Sequence, residues 1–256
     1  MQQDRNVTSA IPGTRAVLLP GTGSDEVFVR SVFAGPLAAI GLGTVTPRPP
    51  AGEKLAVGFL TTLDELAVAG PLLVGGISFG AHLAAEWAVR NPGRCTGLLL
   101  ALPAWHGEPG EAPASLAAKA SADLVEREGL ETALRLSVAG VAPWLADELT
   151  RAWRRHGDGL AAGLRVAAGH PAPGLEELRE LDIPTGIAGC TDDPVHPVAV
   201  ARTWAAAMPR AEVAETTLTA LGADRESLGR AAVSAWLSAA QARPSPTRDG
   251  RNGQAC

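Results

Sequence analysis

The segment LLVGGISFGAHLAAEW, Leu72–Trp87, holds a serine between small residues, with Gly76 two positions before Ser78 and Gly80 two positions after it. An apolar run precedes the serine and an amphipathic run follows, the pattern of a strand, a tight turn and a helix. Such a turn puts the serine in a strained backbone conformation, and residues without a Cβ let strand and helix come close. The Ser78 hydroxyl then projects above the carboxyl edge of a sheet. It also sits at a helix N-terminus, whose free N–H groups and dipole favour a developing oxyanion. The plain alternative is a glycine-rich turn whose serine only caps the helix.

A serine hydroxyl at neutral pH is a poor nucleophile unless a base takes its proton. The chain has five histidines. His196 follows the acidic pair Asp192 and Asp193 in one short segment, and its plain alternative is a solvated loop residue. His82, four positions after Ser78, either lines a pocket floor or is packed structurally. His106 and His170 flank a helical region and could reach a site from above, while His156 beside Arg154 and Arg155 reads as surface.

The elements that must position these groups follow from the hydrophobic pattern. Short apolar runs at Ala16–Pro20, Gly43–Pro47, Pro71–Gly76 and Gly97–Leu102 alternate with longer amphipathic stretches, including Leu55–Ala69 and Ala81–Arg90. That alternation predicts βαβ units and a mostly parallel sheet. Asn91-Pro92-Gly93 stops the second helix. Between His106 and Leu181 helical periodicity takes over, with breaks at Gly129, Ala142-Pro143 and Gly157, which predicts an inserted helical lobe. Strand patterning returns at Ile183–Gly189 and Glu212–Leu218, with helices expected near Val198–Met208 and Asp224–Ala240. In the last of these Leu228, Ala231, Ala232, Ala235, Trp236 and Ala239 recur at helical spacing. The expected organisation is a core from residues 1–106 and 182–240, a helical cap at 107–181, and a polar disordered tail at 241–256.

Composition narrows the function. The 22 basic and 27 acidic residues are interspersed, so no basic face invites nucleic acid and no polybasic run invites a membrane. The expected partner is a small-molecule substrate, and self-association into a homodimer stays open. Three separated cysteines, Cys95, Cys190 and Cys256, give neither a disulfide framework nor a zinc site and fit a cytoplasmic setting. The start lacks a signal-peptide pattern and no run is long enough to span a membrane. No G-x-G-x-x-G follows a strand, and Asp192, Asp193 and His196 lack further ligands, so neither a cofactor nor a metal is expected.

The elbow, together with the surrounding alternation, resembles the α/β-hydrolase superfamily from about Ala16 to Ala240, in particular single-domain bacterial serine hydrolases with a helical cap. The first strand ends in LLPGTGSD, Leu18–Asp25, similar to the family's strand-HG-x loop with Pro20 in place of histidine. The resemblance implies that the backbone N–H groups of Thr22 and Phe79 form an oxyanion hole. The run GIAGCTDDPVHPV, Gly186–Val198, resembles the segment that delivers the triad acid, which implies Asp193, with Asp192 as competitor. The family's histidine follows the last strand; here Gly222 is followed by Ala223, and His196 is the last histidine in the chain. The base is therefore His196 or another of the histidines, or the fold performs a lyase, isomerase or cyclase step, or it binds without catalysis. Trp105 and Trp144, with His82 and His106, are candidates to line a substrate pocket, and an apolar pocket implies an ester or thioester of a modest acyl group. The short region before Arg15 implies a sheet without the one or two leading strands of many relatives. Glu126–Glu128 and the pair Arg154 and Arg155 read as solvated helix faces.

Overall fold

The structure, a computed structural model, describes residues 15–242. The disordered-tail expectation and the inference about leading strands fall mostly on residues outside that range. Six parallel strands form one sheet: β1 (Arg15–Leu19), β2 (Gly43–Val45), β3 (Leu72–Ile77), β4 (Cys95–Ala101), β5 (Thr185–Cys190) and β6 (Ala211–Thr216), in the order β2-β1-β3-β4-β5-β6. Val17 pairs with Val74, Val74 with Leu98, and Ile187 with Val213. All residues of β3 and β5 are buried, as parallel strands covered on both faces require.

The two faces separate by the period of the strand. Val17, Leu19, Val74, Leu98 and Leu100 pack with Leu55, Phe59 and Leu63 of α2 (Leu55–Leu66), Leu83 and Trp87 of α3 (Phe79–Arg90), and Trp204 of α9 (Val198–Ala207). Ala16, Leu18, Leu73 and Leu99 point the other way. They pack with Val29, Val32 and Phe33 of α1 (Glu26–Ala38) and with Leu228, Ala232 and Val233 of α11 (Glu226–Gln241). The sequence pattern does not mark out α1, because Gly35 and Pro36 fall inside it. Its start is fixed by Asp25, whose Oδ1 accepts the N–H groups of Val27 and Phe28 at 3.1 Å each.

Between β4 and β5 the chain forms α4 (Pro113–Glu128), α5 (Leu130–Ser137), α6 (Pro143–His156), α7 (Leu160–Gly169) and α8 (Leu175–Arg179). Pro113 and Pro143 open their helices, where a missing N–H costs nothing. The insertion has a small core of its own from Ala122, Ala133, Leu134, Trp153, Leu160 and Leu164. It is joined to the sheet domain where α7 packs on α2 and on the turn at Gly52–Lys54.

One sequence expectation needs correction. The strand read through Leu218 ends at Thr216, and a further short helix, α10 (Leu218–Ala223), precedes the last one. Arg155 is exposed, and it pairs with Glu26 and stands 3.7 Å from Asp25. Among the described residues no helix is long and apolar enough to cross a membrane.

Candidate active site

Ser78 joins β3 to α3 with φ 53° and ψ −116°, a conformation that a residue with a Cβ adopts only under strain. The turn is tied down from both sides: Ser78 N–H donates to the Ala101 carbonyl at 2.8 Å, and the Ser78 carbonyl accepts from Ala81 and His82 at 2.9 and 3.1 Å. The flanking glycines explain themselves sterically. A Cβ on Gly76 would stand 2.5 Å from the Gly80 carbonyl carbon, and one on Gly80 would collide with the Leu19 carbonyl oxygen.

His196 Nε2 lies 2.9 Å from Ser78 Oγ, and His196 Nδ1 lies 2.8 Å from Asp193 Oδ2. With Asp193 ionised, its carboxylate holds the proton on Nδ1, so Nε2 is the acceptor facing the serine hydroxyl. Asp193 is nearly enclosed, with 5% of its side chain exposed against 18% for His196. Burial raises its pKa, but the hydrogen bond and charge of His196 and the backbone N–H groups of His196 and Val195 outweigh burial and hold the carboxyl below its ordinary value. Asp193 Oδ1 accepts those two N–H groups at 3.1 and 2.8 Å, so the carboxylate folds its own loop around itself.

Asp192, the competing acid, is used otherwise. Its Oδ1 accepts the Leu218 N–H at 2.6 Å, and the Thr217 hydroxyl accepts the Ala220 N–H at 3.0 Å, so together they start α10. The segment in which relatives were expected to carry their histidine is thus a closed helical turn. A Cβ on Gly222 would meet Trp144 Nε1 at 2.5 Å.

The loop after β1 runs against the elbow, since a Cβ on Gly21 would lie 3.3 Å from Ser78 Cβ. This brings Thr22 to the edge where Phe79 opens α3, and the first N–H groups of a helix have no partner within it. Of the other candidates, His82 and Trp105 are buried in the core. His82 is fully buried, accepts the Ala104 N–H on Nε2 at 2.9 Å, and lies against Trp105 and Trp204 with ring centroids 4.4 and 5.6 Å away. Burial first, then the neighbouring His196 and His170, lower its pKa to about 3, so it stays neutral. Trp105 is buried on His82, and its carbonyl accepts from Trp204 Nε1. Trp144 stacks on Phe28, with the Arg225 guanidinium 4.5 Å from its ring centroid. His106 is exposed. His170 stands 2.6 Å from Glu86 and edge-on to Phe79, beside a cavity of about 170 Å3 lined by Glu86, Arg90 and Pro171–Pro173. His156, read as surface, reaches Ser24. Among the described residues no cluster of three or more His, Cys, Asp or Glu side chains is arranged to hold a metal ion.

A six-stranded parallel sheet in this order, with a strained serine turn after its third strand in sequence and a helical insertion after its fourth, is the α/β-hydrolase fold. Solved structures agree on the fold at low identity. An esterase from Thermogutta terrifontis superposes with a TM-score of 0.61 at 18% identity over 80% of this chain and 81% of its own. The enol-lactonase from Burkholderia xenovorans LB400 gives 0.58 at 19% over 79% and 83%. A thioesterase domain from the curacin biosynthetic pathway gives 0.58 at 17% over 90% and 93%. No family model matches the chain, and comparison with curated proteins finds no match.

Proposed function

We propose that the protein is a serine hydrolase of small esters or thioesters with an apolar acyl part, in which Ser78 is the nucleophile, His196 the base and Asp193 the group that orients it. The observation that carries this reading is the unbroken line from Ser78 Oγ to His196 Nε2 at 2.9 Å and from His196 Nδ1 to Asp193 Oδ2 at 2.8 Å. Both spacings suit a general base and its orienting group.

The reaction follows from that line. Ser78 Oγ attacks the acyl carbon while His196 Nε2 takes its proton, and the carbonyl oxygen becomes an oxyanion facing the N–H groups of Thr22 and Phe79. Two such donors contribute about 3 kcal/mol each. Collapse breaks the bond to the leaving alcohol or thiol, which regains the proton from Nε2 and leaves an acyl-serine. Water then attacks, giving its proton to His196, and the second collapse releases the acid and restores the serine. Ionised Asp193 stabilises the imidazolium in both halves.

The inserted helices act in this reading as a lid. Trp153 and Leu164, both buried, stand against Gly23 of the loop beside the serine: the Trp153 Nε1 lies 3.1 Å and a Leu164 methyl 3.6 Å from where a Cβ on Gly23 would be. The similarity to an esterase, an enol-lactonase and a thioesterase supports the same bond class.

The deciding experiment is covalent labelling by a fluorophosphonate, read by intact mass. Wild type is expected to gain one adduct, Ser78→Ala none, and His196→Ala an adduct only at a much lower rate. An unlabelled wild-type protein removes the hydrolase reading and leaves a non-hydrolytic enzyme or a binding protein.

A further inference from the structure

The loop that carries Thr22, Gly21–Asp25, has little structure of its own: one turn hydrogen bond from Ser24 N–H to the Gly21 carbonyl at 3.2 Å, and the cap of Asp25 on α1. Further fixity comes from α6, whose Arg151 and His156 lie 126 and 132 positions from the loop residues they bond, Asp25 and Ser24. Arg151 Nε donates to Asp25 Oδ2 at 2.9 Å and Arg151 Nη2 to Oδ1 at 2.8 Å, a bidentate fork on a carboxylate that is 1% exposed. Arg155 stands 3.7 Å from the same carboxylate and pairs with Glu26, and His156 Nε2 lies 2.8 Å from the Ser24 carbonyl oxygen. Trp153 closes over Gly23. Arg151 is itself held by Glu148, which is 4.0 Å from Arg225.

We propose that Arg151 is a positioning residue: through Asp25 it ties the loop bearing the Thr22 amide to the lid helix α6, so that the oxyanion hole is complete only while α6 is docked. The physical reason is that without Arg151 the buried Asp25 carboxylate loses its bidentate partner and keeps only Arg155 at 3.7 Å and two cap N–H groups, which favours movement of the loop to hydrate it. A displacement of about 1 Å at an oxyanion donor costs on the order of 100-fold in rate. The catalytic half of this inference rests on the serine-hydrolase reading, whereas the clamp itself does not.

Both halves can be measured on the full chain with Arg151→Ala, Arg151→Lys and Asp25→Asn. Lysine keeps the charge and loses the fork; asparagine keeps an acceptor for the cap of α1 and turns its amide on Arg151. Amide hydrogen exchange of a peptide spanning residues 20–28 is expected to quicken in all three, with peptides from β3 and α3 unchanged. Fluorophosphonate labelling of Ser78 is expected to lose on the order of 10- to 100-fold in its maximal rate in Arg151→Ala, with the half-saturating concentration nearly constant. Ethylguanidinium, added to Arg151→Ala, is expected to recover part of that rate, which a general loss of packing would not allow. Unchanged exchange in the 20–28 peptide overturns the clamp. Faster exchange with an unchanged labelling rate overturns the positioning role. If wild type itself is not labelled, the hydrolase reading and the catalytic role fall together, and the exchange result still decides the clamp.

Discussion

The segments that leave β5 and β6 start alike and finish differently. After β5, Thr191–Pro197 stays an irregular loop in which Asp193 gathers the N–H groups of Val195 and His196 and turns the imidazole toward Ser78. After β6, Thr217–Ala223 closes at once into α10, capped by Thr217 and by Asp192 from the neighbouring segment. Pro194 and Pro197 bracket His196 and restrict the backbone on both sides, which keeps that loop out of a helix until Val198. The difference teaches that where an imidazole nitrogen arrives matters more than which strand its loop leaves. The loop that holds Asp193 and His196 three residues apart brings His196 Nε2 to 2.9 Å from Ser78 Oγ.

Five substitutions would break or sharpen that contrast. The largest effects belong to the proposed triad: Ser78→Ala or His196→Ala should lower kcat for a reactive ester by about 10^4-fold or more, measured at substrate saturation. Returning a histidine to the other segment, as Ala223→His in a His196→Ala background, should recover no more than about tenfold, because α10 holds its backbone in a capped helix. Full recovery would show that the segment after β6 can open and that the contrast is weaker than the structure implies.

Asp193→Asn should cost about 10^4-fold in kcat by favouring the wrong histidine tautomer. Asp192→Ala removes only a hydrogen bond to the start of α10, and should lower stability by about 1 kcal/mol or less in denaturant unfolding while kcat holds. Equal losses of activity from the two would erase the division of labour between them. The smallest effect is in acid. The folded pKa of Asp193 is lowered, so its stabilising contribution is present above its ordinary value of 3.8 and fades as pH falls through the lower folded value. Unfolding midpoints followed downward from pH 5 should therefore fall less steeply in Asp193→Asn than in wild type.

Much of this was legible in residue order, and the exceptions share a cause. The strand runs and the turn at Ser78 depend on neighbours in sequence, so their pattern was readable. The helix α10 was missed because six residues show little periodicity, and because one of the groups that starts it, Asp192, lies 26 positions away. Residue order leaves His82 open between pocket and packing, because the Trp105 and Trp204 rings that lie against it come from elsewhere in the chain. No spacing rule joins Arg151 to Asp25.

The sequence by itself determined the alternation of strands and helices, the glycine-flanked serine turn and the short segment that contains Asp193 and His196, because each is set by local sterics and by the burial period of one element. Only the tertiary structure decided that His196, 118 positions from Ser78, brings Nε2 to the serine hydroxyl, and that Asp192 and Asp193 part company. Those outcomes depend on how the β5 exit, the elbow and α10 are stacked across a twisted sheet, and the distance between side chains on different strands is a property of that packing alone.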